Sequence, residues 1–139
     1  MERKPIRVVF CWHMHQPYYQ DQADKQYRLP WVYLHAIKDY TDMANILESI
    51  PQARAVVNSC TILLEQISDY DQQIREFLQR KTPLNDPLLA LLGAEQLPDS
   101  LQKRQSIIEQ CLRANEHRLI NVHKSFSGLV ELATKVQRS

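Results

Sequence analysis

Two imidazoles, His13 and His15, are one residue apart in the run Val8-Val9-Phe10-Cys11-Trp12-His13-Met14-His15-Gln16-Pro17-Tyr18-Tyr19. Imidazoles hydrogen-bond hydroxyls, ligate metals and exchange protons near neutral pH. On an extended backbone both would serve one site, because strand side chains alternate with period two. Residues 8–12 are β-branched or aromatic and show no polar alternation, which predicts a buried strand. Pro17 removes a backbone donor and ends the ladder. The pair therefore lies at the carboxyl end of a first strand, the edge at which α/β folds bind ligands. Either histidine alone would read as a satisfied polar residue at a strand end. A His-x-His-Gln-Pro run beside Trp12, Tyr18 and Tyr19 reads instead as a binding site, in which a few polar groups converge beside aromatic walls.

The elements that must position this run follow from the chain pattern. Residues 6–12 form the first strand. Residues 13–34 form a long connection holding Pro17 and Pro30, and connections of this length in compact domains are usually functional. Its end, Arg28-Leu29-Pro30-Trp31-Val32-Tyr33-Leu34-His35, is aromatic and carries a cation. Both a packed surface loop and a substrate-lining role fit it. A helix over residues 35–49 carries the apolar stripe Ile37, Tyr40, Met43, Ala44, Leu47 and Ile50, with Asp39 and Asp42 near its positive end. A second strand covers residues 53–58. Strand, helix, strand makes a right-handed parallel βαβ unit, which brings Asn58 to the same edge as the histidines.

The rest reads as helical. Residues 63–79 bury Leu63, Ile67, Tyr70, Ile74, Phe77 and Leu78, while Glu65, Asp69 and Asp71 lie off the stripe as solvated carboxylates. Pro83 and Pro87 bracket a turn, and residues 88–92 form a short apolar helix. Asp99 or Ser100 caps a helix to about residue 115, with Leu101, Ile108, Cys111 and Leu112 inward. Residues 119–136 continue as helix with a break near Gly128, and residues 135–139 fray.

Composition excludes several classes. The 139 residues suffice for one small domain, and 44% hydrophobic with 24% charged residues is ordinary for a soluble globular chain. Lys+Arg number 17 against 16 Asp+Glu, so no nucleic-acid partner is expected. No run of about 18 apolar residues exists, so no membrane span is expected. Met1-Glu2-Arg3-Lys4-Pro5 is basic but leads to no separate apolar region, so no signal peptide is expected. Cys11, Cys60 and Cys111 are odd in number and widely spaced, which points to a reducing, cytoplasmic location. Without a Cys-x-x-Cys pair there is no zinc knuckle. Gly93 and Gly128 are the only glycines, so no phosphate loop can form. Two strands and four or five helices place the chain in the α/β class. Two parallel strands would leave both sheet edges unpaired, so the pattern reads as the opening portion of a larger barrel, a fold of about 250 residues.

The segment Phe10-Cys11-Trp12-His13-Met14-His15-Gln16-Pro17-Tyr18-Tyr19, together with Arg28 through Met43, resembles the amino-terminal part of glycoside hydrolase family 57. Leu63-Leu64-Glu65-Gln66-Ile67 resembles the segment after its second strand, and Glu109-Gln110-Cys111-Leu112-Arg113-Ala114-Asn115 resembles a helical insertion of some members. The resemblance implies an α/β fold, here the opening portion of an incomplete (β/α)7 barrel with two parallel strands plus several helices. Residues 1–60 would be its βαβ unit and residues 61–139 a helical segment. It implies a retaining enzyme acting on α-glucans, of the α-amylase, 4-α-glucanotransferase or branching-enzyme type. Retention needs two carboxyls about 5–5.5 Å apart. The family's glutamate nucleophile and aspartate acid/base segments have no counterpart here, so no catalytic residue is assigned and the chain alone is expected to be inactive. His13, His15, Gln16, Trp12 and Trp31 are the expected substrate-binding residues, with an α-glucan or malto-oligosaccharide as ligand and no cofactor or metal. The segment Asn58-Ser59-Cys60-Thr61-Ile62 departs from relatives, which carry an aromatic and a proline there.

Two other readings use the same residues. A metal-dependent hydrolase fragment would ligate zinc through His13 and His15, with Glu65 or His35 as a third ligand. A non-catalytic module would bind glucan or a partner, such as the missing remainder of the barrel, through its open sheet edges.

Overall fold

A computed structural model describes residues 6–96, 98–112, 116–122 and 124–138 of the chain. Expectations for Met1 to Pro5, for the end of the helix expected to about residue 115 (residues 113–115), for the side chain of Cys111 and for Ser139 lie outside the described residues. The chain forms two compact units, Met1–Gly93 and Ala94–Ser139. The helical segment expected from residue 61 thus contributes its first two helices to the first unit.

In the first unit, β1 (Phe10–Met14) pairs in parallel with β2 (Ala55–Ser59), and among the described residues this sheet has two strands. Between them run α1 (Trp31–His35), a π-helical turn (Ala36–Tyr40) and α2 (Thr41–Ser49). Then follow α3 (Thr61–Arg80) and α4 (Pro87–Leu92). The α/β class with a parallel strand pair and several helices is as expected, and a βαβ unit of this kind is the repeating element of a β/α barrel.

Several boundaries differ from those the sequence predicts. β1 starts at Phe10 rather than residue 6, because Phe10 faces Ala55, where β2 begins. Residues 6–9 therefore have no ladder partner, and Val8 is 71% exposed. The strands are not buried on both faces as expected: Phe10, Val56 and Val57 are all exposed. β-branched composition produced the extended backbone, but burial needs covering layers, and among the described residues the cover on this sheet is partial, reaching Met14, which packs against the core.

The helix expected from residue 35 begins at Trp31. Pro30 stands at its N-cap, where a missing N–H costs nothing, and its carbonyl accepts from Leu34 N at 3.0 Å. The connection is therefore shorter than expected, and Trp31 belongs to a helix. The stripe Ile37, Tyr40, Met43, Ala44, Leu47 and Ile50 is half-covered: Tyr40, Met43 and Leu47 are partly buried, whereas Ile37, Ala44 and Ile50 are exposed.

The core sits off the sheet. Tyr27, Val32, Leu63, Tyr70, Leu84 and Leu89 form it, with Met14, Tyr19, Tyr33, Tyr40, Ile67, Ile74 and Phe77 packed around them. The rings of Tyr27 and Tyr70 lie 4.2 Å apart and those of Tyr33 and Tyr70 5.8 Å apart, distances at which aromatic pairs attract. The α3 stripe is as expected except at Leu78, which is 70% exposed because it lies one residue past Phe77 at the helix edge. α3 ends at Lys81, whose φ of 58° closes the helix in the left-handed region and whose N–H bonds Phe77 O at 2.9 Å.

Asp86, expected in a turn, is a buried N-cap. Its Oδ1 accepts from Leu88 N at 2.8 Å and Leu89 N at 3.2 Å, and its Oδ2 accepts from Tyr70 OH at 2.5 Å. Pro87 in the first turn completes a favourable start for α4.

The second unit contains α5 (Leu101–Cys111), a π-helical turn (Glu116–Ile120) and α6 (Lys124–Arg138). Leu101 is 74% exposed rather than inward, and α6 runs through Gly128 without the expected break. Gly128 has open space where a Cβ would stand, so nothing crowds or bends the helix there. No described helix is long and apolar enough to cross a membrane.

Tyr70→Phe should destabilise the first unit by about 1–3 kcal/mol, because it strips the donor from a buried carboxylate oxygen. Leu78→Ala should change stability by no more than about 0.5 kcal/mol. Urea unfolding of both variants checks this, and equal losses would contradict the position of the core.

Candidate functional site

The register pairs Cys11 with Val56 and His13 with Asn58. Paired residues of a parallel ladder share a face, so Cys11, His13, His15, Val56 and Asn58 line one side, and all five are exposed. Trp12 and Met14 take the other side, where Met14 packs against the core. The alternation that separates these two sets is what puts the imidazoles together. Their rings are nearly parallel, with centroids 6.1 Å apart and planes 10° apart. Asn58 stands across the ladder from His13, as the βαβ reading expected.

Cys60 follows β2 and is the N-cap of α3, without a side-chain cap bond. Its Sγ lies 3.8 Å from His13 Nε2, a contact the sequence reading missed. Its backbone N–H donates to Met14 O at 3.0 Å, so the end of β1 is tied to the start of α3.

Gln16 turns away from the open face. Its Nε2 donates to Tyr40 OH at 3.3 Å and its Oε1 accepts from Tyr19 OH at 3.2 Å. Tyr40 is brought there by the π-helical turn, whose extra residue is a common device at functional sites. Trp31 is partly exposed in the first turn of α1, and Trp12 is half-buried on the opposite sheet face. Among the described residues, neither tryptophan has a ring contact with His13 or His15. The strand alternation places Trp12 apart from the pair, and the early helix start gives Trp31 a position of its own.

Beyond the motif, the connection is pinned to α3. The side chain of Gln66 accepts from Tyr19 N at 2.9 Å and donates to Pro17 O at 3.0 Å and Ile62 O at 3.2 Å. Asp69 Oδ2 accepts from Tyr27 OH at 2.8 Å, Gln73 Nε2 at 2.6 Å and Gln20 Nε2 at 3.3 Å. Asp69 is thus a half-buried acceptor rather than the solvated carboxylate expected. The signal for Gln66 was its spacing: three residues from Leu63 and four from Tyr70 puts a polar side chain on the buried stripe. Arg28, the expected cation of the connection, pairs with Asp21 and Asp24 at 2.7 Å each. That bridge, led by the Arg28 hydrogen bond, holds the Asp21 carboxyl below the usual range.

The carboxylate and the imidazole proposed as third metal ligand lie elsewhere. His35 pairs with Asp39 and stacks near Tyr40, and Glu65 accepts from Tyr18 OH at 3.4 Å. Among the described residues, no group of three or more His, Cys, Asp or Glu side chains could hold a metal ion. Burial, followed by Glu65, raises the Tyr18 phenol above its ordinary value.

A family model described as glycosyl hydrolase family 57 matches residues 9–135. The chain belongs to this family. The match spans both the imidazole run and most of the helical part, and it makes the protein a glycoside hydrolase in kind. Neither the curated proteins nor the solved structures include a significant match to the chain.

Burial pushes the Tyr27 and Tyr70 phenols far above the ordinary tyrosine range, reinforced by Asp69 and Asp86, which accept their protons. A raised folded-state pKa means the unfolded chain loses these protons first. Their contribution to stability is full below about pH 10 and falls as pH rises above it. In an ultraviolet titration of the six tyrosines, Tyr27 and Tyr70 should ionise only as the protein unfolds. Their reversible ionisation in the folded state would contradict the burial.

Proposed function

We propose that the open face of β1 binds an α-glucan or malto-oligosaccharide, as part of a retaining α-glucan hydrolase or glucanotransferase. The observation that carries this reading is the parallel imidazole pair at the carboxyl end of a strand, inside a glycosyl hydrolase family 57 match. Two exposed imidazoles one residue apart present a row of donors and acceptors at a spacing suited to neighbouring sugar hydroxyls. Fixed groups of this kind also stabilise charge as an oxocarbenium-like transition state develops. Asn58, across the ladder, adds an amide to the same face. Gln16 keeps one amide hydrogen beyond its bond to Tyr40, and Trp31 offers an exposed ring to the C–H face of a sugar.

The chain by itself turns over no glucan in this reading. Retention requires a nucleophile and an acid/base carboxyl about 5–5.5 Å apart at the scissile bond. None of the described side-chain contacts brings a carboxylate to His13 or His15, and Asp69, Asp86 and Glu65 are each held by other donors. The catalytic pair would come from further barrel strands, and the exposed sheet favours such a partner, because parallel sheets are ordinarily covered on both faces. The free thiols of Cys11 and Cys60 support a reducing, cytoplasmic setting.

His13→Ala and His15→Ala should each weaken malto-oligosaccharide binding at least about tenfold, equivalent to about 1.4 kcal/mol. Both residues are exposed, so melting temperature should be unchanged. Titration calorimetry checks this, with the wild-type chain tested beside them. Stoichiometric zinc binding through the two histidines, with no glucan binding, would replace the carbohydrate reading with the metal-hydrolase one.

A further inference from the structure

Gln66 is 1% exposed, on a helix stripe otherwise occupied by Leu63, Ile67 and Tyr70. An apolar side chain would fill that position without needing partners. The carboxamide instead meets two backbone groups of the connection, Pro17 O and Tyr19 N, which are 49 and 47 residues away in the chain. Its third bond, to Ile62 O in its own helix, fixes the rotamer that makes the other two.

We propose that Gln66 is the positioning residue of the imidazole pair. The segment His15-Gln16 hangs between two anchors, and both belong to the start of α3. On one side Met14 O accepts from the N–H of the N-cap, Cys60. On the other, Pro17 O accepts from Gln66. His15 therefore projects from a backbone fixed on both sides by the start of α3. Its ring stays beside that of His13, which the β2 register holds opposite Asn58.

The residue type is dictated by this job. A carboxamide supplies an acceptor for Tyr19 N–H and donors for Pro17 O from one planar group. Glutamate would keep the acceptor and lose the donors. Asparagine is one methylene shorter, and methionine has neither function. Removing the carboxamide would leave the Tyr19 N–H and the Pro17 carbonyl without their partner, so the turn would shift toward water to regain one. The effect on ligand binding rests on the glucan reading of His13 and His15, whereas the effect on ring placement does not.

The test uses the full chain with Gln66→Met and Gln66→Glu. Amide hydrogen exchange, imidazole nuclear magnetic resonance and malto-oligosaccharide affinity are read together. In Gln66→Met, the Tyr19 amide should exchange at least tenfold faster while the later turns of α3 keep their protection. The His15 ring resonances should move while those of His35 stay, and glucan affinity should fall at least tenfold. Gln66→Glu should retain part of the Tyr19 protection. Unchanged His15 resonances in a folded Gln66→Met chain overturn the proposal, as do equal shifts at His15 and His35, which would report a general loosening. If Gln66→Met does not fold, the wild-type Tyr19 amide decides: protection of a hundredfold or more supports the clamp, and exchange at the rate of an unstructured amide overturns it. If the wild-type chain binds no malto-oligosaccharide, the glucan reading falls and the His15 resonances alone decide the positioning role.

Discussion

A buried polar row on α3 holds the first unit together. Gln66, Asp69 and Tyr70 reach three different stretches of chain: the turn after β1, the Gln20 and Tyr27 segment, and the Asp86 cap of α4. The sheet is too small to organise these parts. Two strands cannot cover a core, so the connection between β1 and α1 packs directly on α3 and supplies Tyr27 as a core residue. A connection used in this way carries backbone groups into the interior, and each needs a partner. The side chains of α3 are those partners. Gln73 continues the row by accepting from Asn85 N at 2.8 Å, and Asn85 O in turn accepts from Tyr27 N at 3.0 Å. No buried side-chain donor or acceptor lacks a hydrogen bond among the described residues, so the polar row satisfies itself rather than depleting stability.

The contrast with the surface ion pairs is instructive. Arg28 with Asp21 and Asp24, Lys38 with Asp42 and Arg75 with Asp71 are all exposed on both partners. Screened pairs of this sort add little to stability. They shape local turns, as Arg28 does by drawing Asp21 and Asp24 toward one guanidinium. The energetic weight lies with the buried phenols and their acceptors, where the low dielectric strengthens each bond.

The placement of the imidazole pair follows from alternation along one strand. Met14 of β1 packs against the core, whereas Cys11, His13 and, just past the strand, His15 are exposed on the other side. Membership of glycosyl hydrolase family 57 makes sense of a strand whose end carries polar groups while its flanks remain apolar.

Local features were decided by the chain itself. Period-two alternation put His13 and His15 on one side, and β-branched residues at 56 and 57 marked β2. Pro30 and Pro87 stand at helix starts because proline tolerates that place and few others. The spacing of Leu63, Ile67, Tyr70, Ile74 and Phe77 defined the inner face of α3. The family resemblance was legible from the His-Gln-Pro run and its aromatic neighbours. Only the tertiary structure decided which apolar residues are covered. Val8, Phe10, Ile37 and Leu101 have the composition of core residues and are exposed, because burial depends on a second layer that no local pattern encodes. It also decided the roles of Gln66, Asp69 and Asp86. A polar residue on a helix stripe reads as an irregularity until its partners, up to 49 residues away, arrive beside it. Hydrogen-bond partners at such separations are chosen by how the chain folds back, whereas alternation and helix spacing are properties of neighbouring residues.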